Sequence, residues 1–382
     1  MVSLLSTRAP KLDSAPVGTG SARDSSTPFT GLAEKRSMLE MDGLRAFAVL
    51  AVAWSHWAPS DLQFGLPWGT GVQLFFVISG FLITGILLDN KPTDASPADS
   101  RRVWRNFYLR RALRIFPLFY LVLFLSWLLS VDPIDSSWPW HAFYLSNVYY
   151  FLGNSPDAFV HFWSLSVEEQ FYLIWPFLVL LLPTRQLHTA LILMIVAAPV
   201  FKTVVMAITG IELVRYLPVS CLDALGIGAL LASTDRQPIR GRWHASAIAS
   251  VCLYIGLPVV LAVGALEAIA SQPYWLHATG HTGLVLFYGW IVVSAAKGFG
   301  SAASAVLRFK PITYLGKVSY GIYIYHFFAP RIVSALGIED SLDSGVAGRL
   351  AVYSAVTLMI AAVSWHAFEA PINGLKRWVP YR

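Results

Sequence analysis

MDGLRAFAVLAVAWSHW (Met41–Trp57) and, after a short break, GVQLFFVISGFLIT (Gly71–Thr84) are the stretches on which the fold turns. Each is the kernel of an apolar helix, and about 20 such residues at 1.5 Å rise cross a bilayer. The first also carries Asp42, Arg45 and His56, which are expensive to hold in a membrane. Ten residues separate Arg45 from His56. Eleven steps of about 100° return to within about 20° of the starting direction, so both side chains share a face roughly 16 Å apart. Charge within a span usually faces a bundle interior or a wet cavity and marks function. The plainer reading is an arginine snorkelling at one interface and a histidine at the other.

Composition supports the membrane reading. Hydrophobic residues make up 56% and charged residues 13% of 382, against roughly 25% charged in a soluble domain. The chain therefore reads as an all-α polytopic membrane protein. Residues 1–38, rich in Ser, Pro, Gly and Thr, read as a disordered cytoplasmic tail without a cleavable signal peptide. Ten apolar spans follow, at 43–60, 69–88, 113–131, 164–183, 188–209, 217–233, 245–268, 280–296, 311–330 and 347–368. They define one transmembrane domain over 39–376 and a short cytoplasmic end at 377–382. Cys221 and Cys252 lie within apolar spans and read as buried small hydrophobes.

The net charge of +6 is explained by topology rather than by nucleic acid, which is not expected as a partner. With ten spans, 23 Lys and Arg fall on the side of the termini and three on the other, namely Arg215, Arg331 and Arg349. Positive charge marks the cytoplasmic side, so both termini are expected there.

The polar groups then sort by depth. Arg111 and Arg114, in FYLRRALRIFP, sit three apart at the cytoplasmic entry of the third span and share a helix face. Guanidinium forks at that spacing suit phosphate oxygens; anionic lipid is the plainer partner. The outer loop 132–163 has no Lys or Arg and ten aromatic residues, Tyr150 and Trp163 among them. Such a loop is either an interfacial belt or a platform for sugar rings. Glu168 and Glu169 in FWSLSVEEQFYLIWP, Asp223 in the sixth span and His326 in SYGIYIYH lie toward the outer side. His56, Glu168, Asp223 and His326 are thus expected to meet in one polar pocket, where carboxylates orient an imidazole for general-base work. Ser79, in the second span, is a further pocket candidate, and Glu369 is expected to pair with Arg45 or with Arg111 and Arg114.

These motifs, in this order over about residues 40–372, resemble the acyltransferase-3 family of integral membrane acyltransferases. That family O-acylates surface polysaccharides, lipopolysaccharide and some macrolides. The resemblance implies a ten-helix domain in a bacterial inner membrane that uses acyl-CoA, most often acetyl-CoA, with no metal. It implies His56 and Arg45 as catalytic residues and Arg111 and Arg114 as the coenzyme-binding pair. Some members carry an added esterase-like domain after the bundle, and none is expected here. Together, motif and depth suggest that acyl-CoA docks on Arg111 and Arg114 and that its arm reaches toward His56. There His56, oriented by Glu168 or Asp42, acts as base toward an acceptor hydroxyl or as an acyl relay. The expected acceptor is a surface or lipid-linked polysaccharide such as an exopolysaccharide, with a macrolide or other small hydroxylated product as the alternative and polysaccharide-export partners unidentified. A secondary transporter is the rival class, but its usual inverted repeats are not visible.

Overall fold

The computed structural model describes residues 28–92, 97–155, 157–267, 274–300, 302–338 and 345–381. Among these the chain is helical, with no β-strand. The helices are α1 (Pro28–Trp57), α2 (Gly71–Asp89), α3 (Pro97–Leu128), α4 (Ile134–Ala142), α5 (Ser146–Phe151), α6 (Phe162–Leu181), α7 (Thr184–Thr209) and α8 (Leu222–Arg236). They continue as α9 (Ala245–Glu267), α10 (Tyr274–Lys297), α11 (Ala302–Leu307), α12 (Lys310–Lys317), α13 (Ser319–Tyr325), α14 (Ala329–Ala335) and α15 (Gly345–Ser364). A π-helical turn, Trp365–Glu369, carries α15 into α16 (Ala370–Gly374).

Seven of these are long and apolar enough to cross a membrane: α2, α3, α6, α7, α9, α10 and the run from α15 onward. The other three expected spans are helical but different in kind. α1 is 30 residues long, yet its apolar half carries Asp42, Arg45 and His56. α8 has 15 residues, short of the roughly 20 a bilayer needs. The expected span 311–330 is broken at Val318 and again at His326–Phe328, which gives α12, α13 and α14. The expected disordered tail is also shortened, because α1 begins at Pro28; residues 1–27 lie outside the described residues. Cys221 and Cys252 are buried and unpaired.

Burial separates core helices from peripheral ones. The apolar window of α2 is 61% buried and that of α6 56%, against 17% for α7 and 22% for α9. A helix that is hydrophobic all round and buried all round belongs to the centre of the bundle, and α2 and α6 form it. α2 crosses α8 at Gly80 and Gly228. A Cβ at Gly80 would collide with the Leu225 carbonyl oxygen, and one at Gly228 with that of Val77. Each glycine thus receives the partner backbone, the close approach that small residues permit in membranes. Trp175 of α6 completes the core, donating its indole N–H to Thr84 Oγ1 of α2 at 2.8 Å.

Basic side chains tie helix ends together on the side where Arg45 lies. Arg236 bonds Asp89 through Nε and Nη2 at 2.6 and 2.5 Å. Lys91 Nζ donates to the carbonyls of Val179 and Leu182, both at 2.9 Å, satisfying the last carbonyls of α6. Arg110 Nη1 donates to the Lys376 and Val379 carbonyls at 2.9 and 3.0 Å.

Candidate active site

Two cavities lie end to end in the bundle. The first is lined by Arg45 of α1, Ser79 of α2, Arg111 and Arg114 of α3, Glu168, Glu169 and Tyr172 of α6, and Tyr320 and Tyr323 of α13, among others. The second is lined by His56, Gln73, His161, Trp163, Arg215, Tyr216 and Tyr323, among others. Val72 and Tyr323 line both cavities and form the wall between them.

The arginine cavity is held by stacking and by short local bonds. Arg45 Nη1 donates to Asp42 Oδ1 at 2.9 Å, one helical turn back. The Arg111 guanidinium lies over the Tyr172 ring, 4.0 Å from its centroid, and that of Arg114 over Trp365 at 5.5 Å. Neither Arg111 nor Arg114 forms an ion pair among the described residues, and Arg111 Nε is buried without a partner. Ser79 Oγ donates to Glu168 Oε1 at 2.5 Å. Arg111 and Arg114, without an ion pair among the described residues, and Arg45 beside them line a space that suits an anionic ligand with phosphate oxygens.

The second cavity is organised by imidazoles. His326 is fully buried, with Nδ1 2.7 Å from the Tyr323 carbonyl oxygen. A carbonyl only accepts, so this nitrogen carries the proton and Nε2 is left with its lone pair. His326 Nε2 is 3.1 Å from His56 Nδ1. His56 therefore donates from Nδ1, and its Nε2 keeps a free lone pair on a ring that lines the cavity. An edge-on Phe327 ring, 4.6 Å away between centroids, fixes the imidazole plane.

Several expected placements are corrected. Asp223 lines neither cavity; it accepts from Lys202 Nζ at 2.8 Å and its Oδ2 lies 3.8 Å from His281 Nδ1. A buried carboxylate needs a partner, and Lys202 in the neighbouring helix supplies one. Glu168 lies in the arginine cavity bonded to Ser79, and Asp42 is engaged by Arg45; His56 is bonded to His326 instead. Tyr150 stands behind the cavity wall: its hydroxyl donates to Asp157 Oδ1 at 2.7 Å and its ring packs 5.9 Å from Tyr216. Burial raises the Asp157 carboxyl above its ordinary range, partly offset by the bonds from Tyr150 and the Phe159 N–H. Glu369 accepts from Ser364 Oγ at 3.1 Å rather than pairing with an arginine. Trp163 does line the second cavity, and Ser79 the first. Sequence reasoning missed His161, Gln73, Tyr216 and Tyr323. Arg215 carried a signal, as one of only three cations on its side.

Comparison with known proteins adds the family-level evidence. The family model Acyl_transf_3, described as an acyltransferase domain, matches residues 38–368. The chain is 30% identical over 368 residues to YrhL of Bacillus subtilis (strain 168), provisionally named a peptidoglycan O-acetyltransferase, covering 87% of this chain and 54% of that protein. It is 28% identical over 363 residues to the peptidoglycan O-acetyltransferase OatA of Listeria monocytogenes serovar 1/2a, covering 87% and 55%. It is 27% identical over 361 residues to the O-acetyltransferase OatA of Staphylococcus aureus (strain NCTC 8325 / PS 47), covering 87% and 57%. The chain thus spans about half the length of these relatives. No solved structure matches it.

Proposed function

Because this chain belongs to the acyltransferase-3 family, we propose that it is a membrane O-acetyltransferase moving acetyl from cytoplasmic acetyl-CoA to a hydroxyl of a cell-wall glycan. Peptidoglycan is the favoured acceptor, from the names of the relatives. The observation that carries the reading is the pair of cavities back to back at Val72 and Tyr323, one lined by three arginines and the other by His56. A donor that enters from one membrane face and an acceptor from the other need that arrangement. The asymmetry of Lys and Arg supports placing the arginine side toward the cytoplasm.

In this reading Arg111 and Arg114 seat the phosphates of the coenzyme, and Arg45, steadied by Asp42, adds a third positive charge. The acetyl thioester extends toward the wall between the cavities. His56 Nε2 takes the proton of an acceptor hydroxyl, and the oxygen attacks the thioester carbonyl carbon. The carbon–sulfur bond breaks, and the imidazolium returns its proton to the departing thiolate. His326 supplies the acceptor nitrogen that keeps His56 in the tautomer this step requires.

The test uses purified protein, radiolabelled acetyl-CoA and solubilised peptidoglycan. His56→Ala should lower turnover about 100- to 10,000-fold, the usual cost of a lost general base, while coenzyme binding persists. Arg111→Ala should instead raise the Michaelis constant for acetyl-CoA, since a ground-state contact is lost. Turnover of His56→Ala above about a tenth of wild type would rule out the catalytic assignment.

A further inference from the structure

The second cavity holds a specific set of unsatisfied groups. His161 Nε2 lies 3.1 Å from the Ile324 carbonyl, so it donates there, and Nδ1 is left as a bare acceptor without a partner. Gln73 Oε1 is likewise buried with no partner. Both side chains line the same cavity as His56, whose Nε2 is left as an acceptor by the bond from Nδ1 to His326. Buried polar atoms without partners carry a free-energy cost, and two beside one cavity match a ligand rich in hydroxyl donors. Trp163 and Tyr216, edge to face at 5.3 Å, add aromatic wall of the kind that receives the apolar face of a sugar ring.

One cation completes the set. The Arg215 guanidinium lies 5.1 Å from the Tyr216 ring centroid, with Nη2 3.4 Å from the Tyr216 hydroxyl. It forms no ion pair among the described residues; Glu212, three positions earlier, does not engage it. By the ten-span charge count it is one of only three Lys or Arg on its side, and here it is oriented by stacking rather than by a carboxylate.

We infer that this cavity is a subsite for an acidic saccharide, in which Gln73, His161 and His56 accept hydroxyl hydrogens and Arg215 seats the anionic group. The inference rests on the acceptor side of the proposed function and names the class of acceptor. The anion has two possible sources, a carboxylate on the sugar or a phosphate that links it to a carrier, and a guanidinium fork recognises both.

The experiment measures binding and transfer separately, on the full chain in detergent. Calorimetry compares solubilised peptidoglycan fragments with free carboxylates, the same fragments with carboxylates reduced to alcohols, and the reduced fragments bearing one phosphate monoester. Wild type should bind an anionic form about 10-fold tighter than the neutral one, the usual scale for a hydrogen bond to a charged group. Preference for the first form identifies a carboxylate and recovery with the third a phosphate. Arg215→Gln should bring the anionic forms down to the affinity of the neutral one, and Arg215→Lys should restore part of the preference. Equal affinities for all three forms in wild type, or an equal loss across all three in Arg215→Gln, overturns the inference. Transfer from acetyl-CoA is read in parallel: discrimination in binding without any transfer keeps the subsite and rejects the acetyltransferase, and transfer without discrimination does the reverse.

Discussion

As the proposed general base, the imidazole of His56 works in one tautomer only, and the residue that sets it is twelve helices away in sequence order. His326 points its protonated Nδ1 at the Tyr323 carbonyl and its lone pair at His56. Replacing His326 by Gln leaves an acceptor in the same place, whereas Phe removes it. His326→Phe should therefore lower turnover about 100-fold or more, the low end of what a mis-set general base costs, and His326→Gln should recover much of it. A pH–rate profile separates positioning from collapse, because the acidic limb, which reports the base, moves only if the bond to His56 changes. Equal losses in both variants with an unchanged profile would falsify the positioning role. At this scale the sequence was half legible. The spacing of Arg45 and His56 follows from the period of a helix, and Arg111 and Arg114 likewise share one cavity. Asp223 was misread because its partner, Lys202, is 21 residues away on another helix, and no local pattern reveals such pairing. His161 and Gln73 were missed for the same reason, as their roles exist only once distant elements close on one space.

Among elements, the crossing of α2 and α8 decides whether Ser79 stands against Glu168. Gly80 and Gly228 let the two backbones touch, and the neighbour of Gly80 is the serine that bonds Glu168. Gly228→Ala would force the Val77 carbonyl away and spread the helices. Overpacking of this kind costs about 1–3 kcal/mol, so the thermal unfolding temperature in detergent should fall by several degrees. Affinity for acetyl-CoA should fall with it, since the arginine cavity lies along α2. Gly264, where an added Cβ meets nothing, is the matched control, and Gly264→Ala should change neither quantity. The apolar pattern made α2 plain in the sequence. It did not reveal the glycine crossing, because the sixth span is short and interrupted by small residues. Those small residues are what the packing uses.

For the whole molecule, the three segments that depart from an ideal span are α1, α8 and the broken α12–α14. α1 brings Arg45 and His56, and the break after α13 brings His326, so irregularity gathers where the cavities are, as expected when polar backbone and side chains face enclosed space rather than lipid. Hydropathy counts spans well where helices meet lipid and poorly where they meet each other, which is why ten were expected and seven are long and apolar enough. The wall made by Val72 and Tyr323 has a consequence of a different order. Tyr323 is pinned, its hydroxyl donating to the His161 carbonyl at 3.1 Å and lying 2.5 Å from Ser164 Oγ. In the proposed function the cavities open toward opposite faces, and these two shared side chains then stand between them. Across a membrane potential of 100 mV, each proton that slipped past them would dissipate about 2.3 kcal/mol. In sealed vesicles with an imposed potential, Tyr323→Ala should leak protons measurably and Tyr323→Phe, which keeps the ring, much less. Under the proposed function, an acetyl donor on one side and a glycan on the other would meet across a barrier thin enough for chemistry and tight enough to hold voltage.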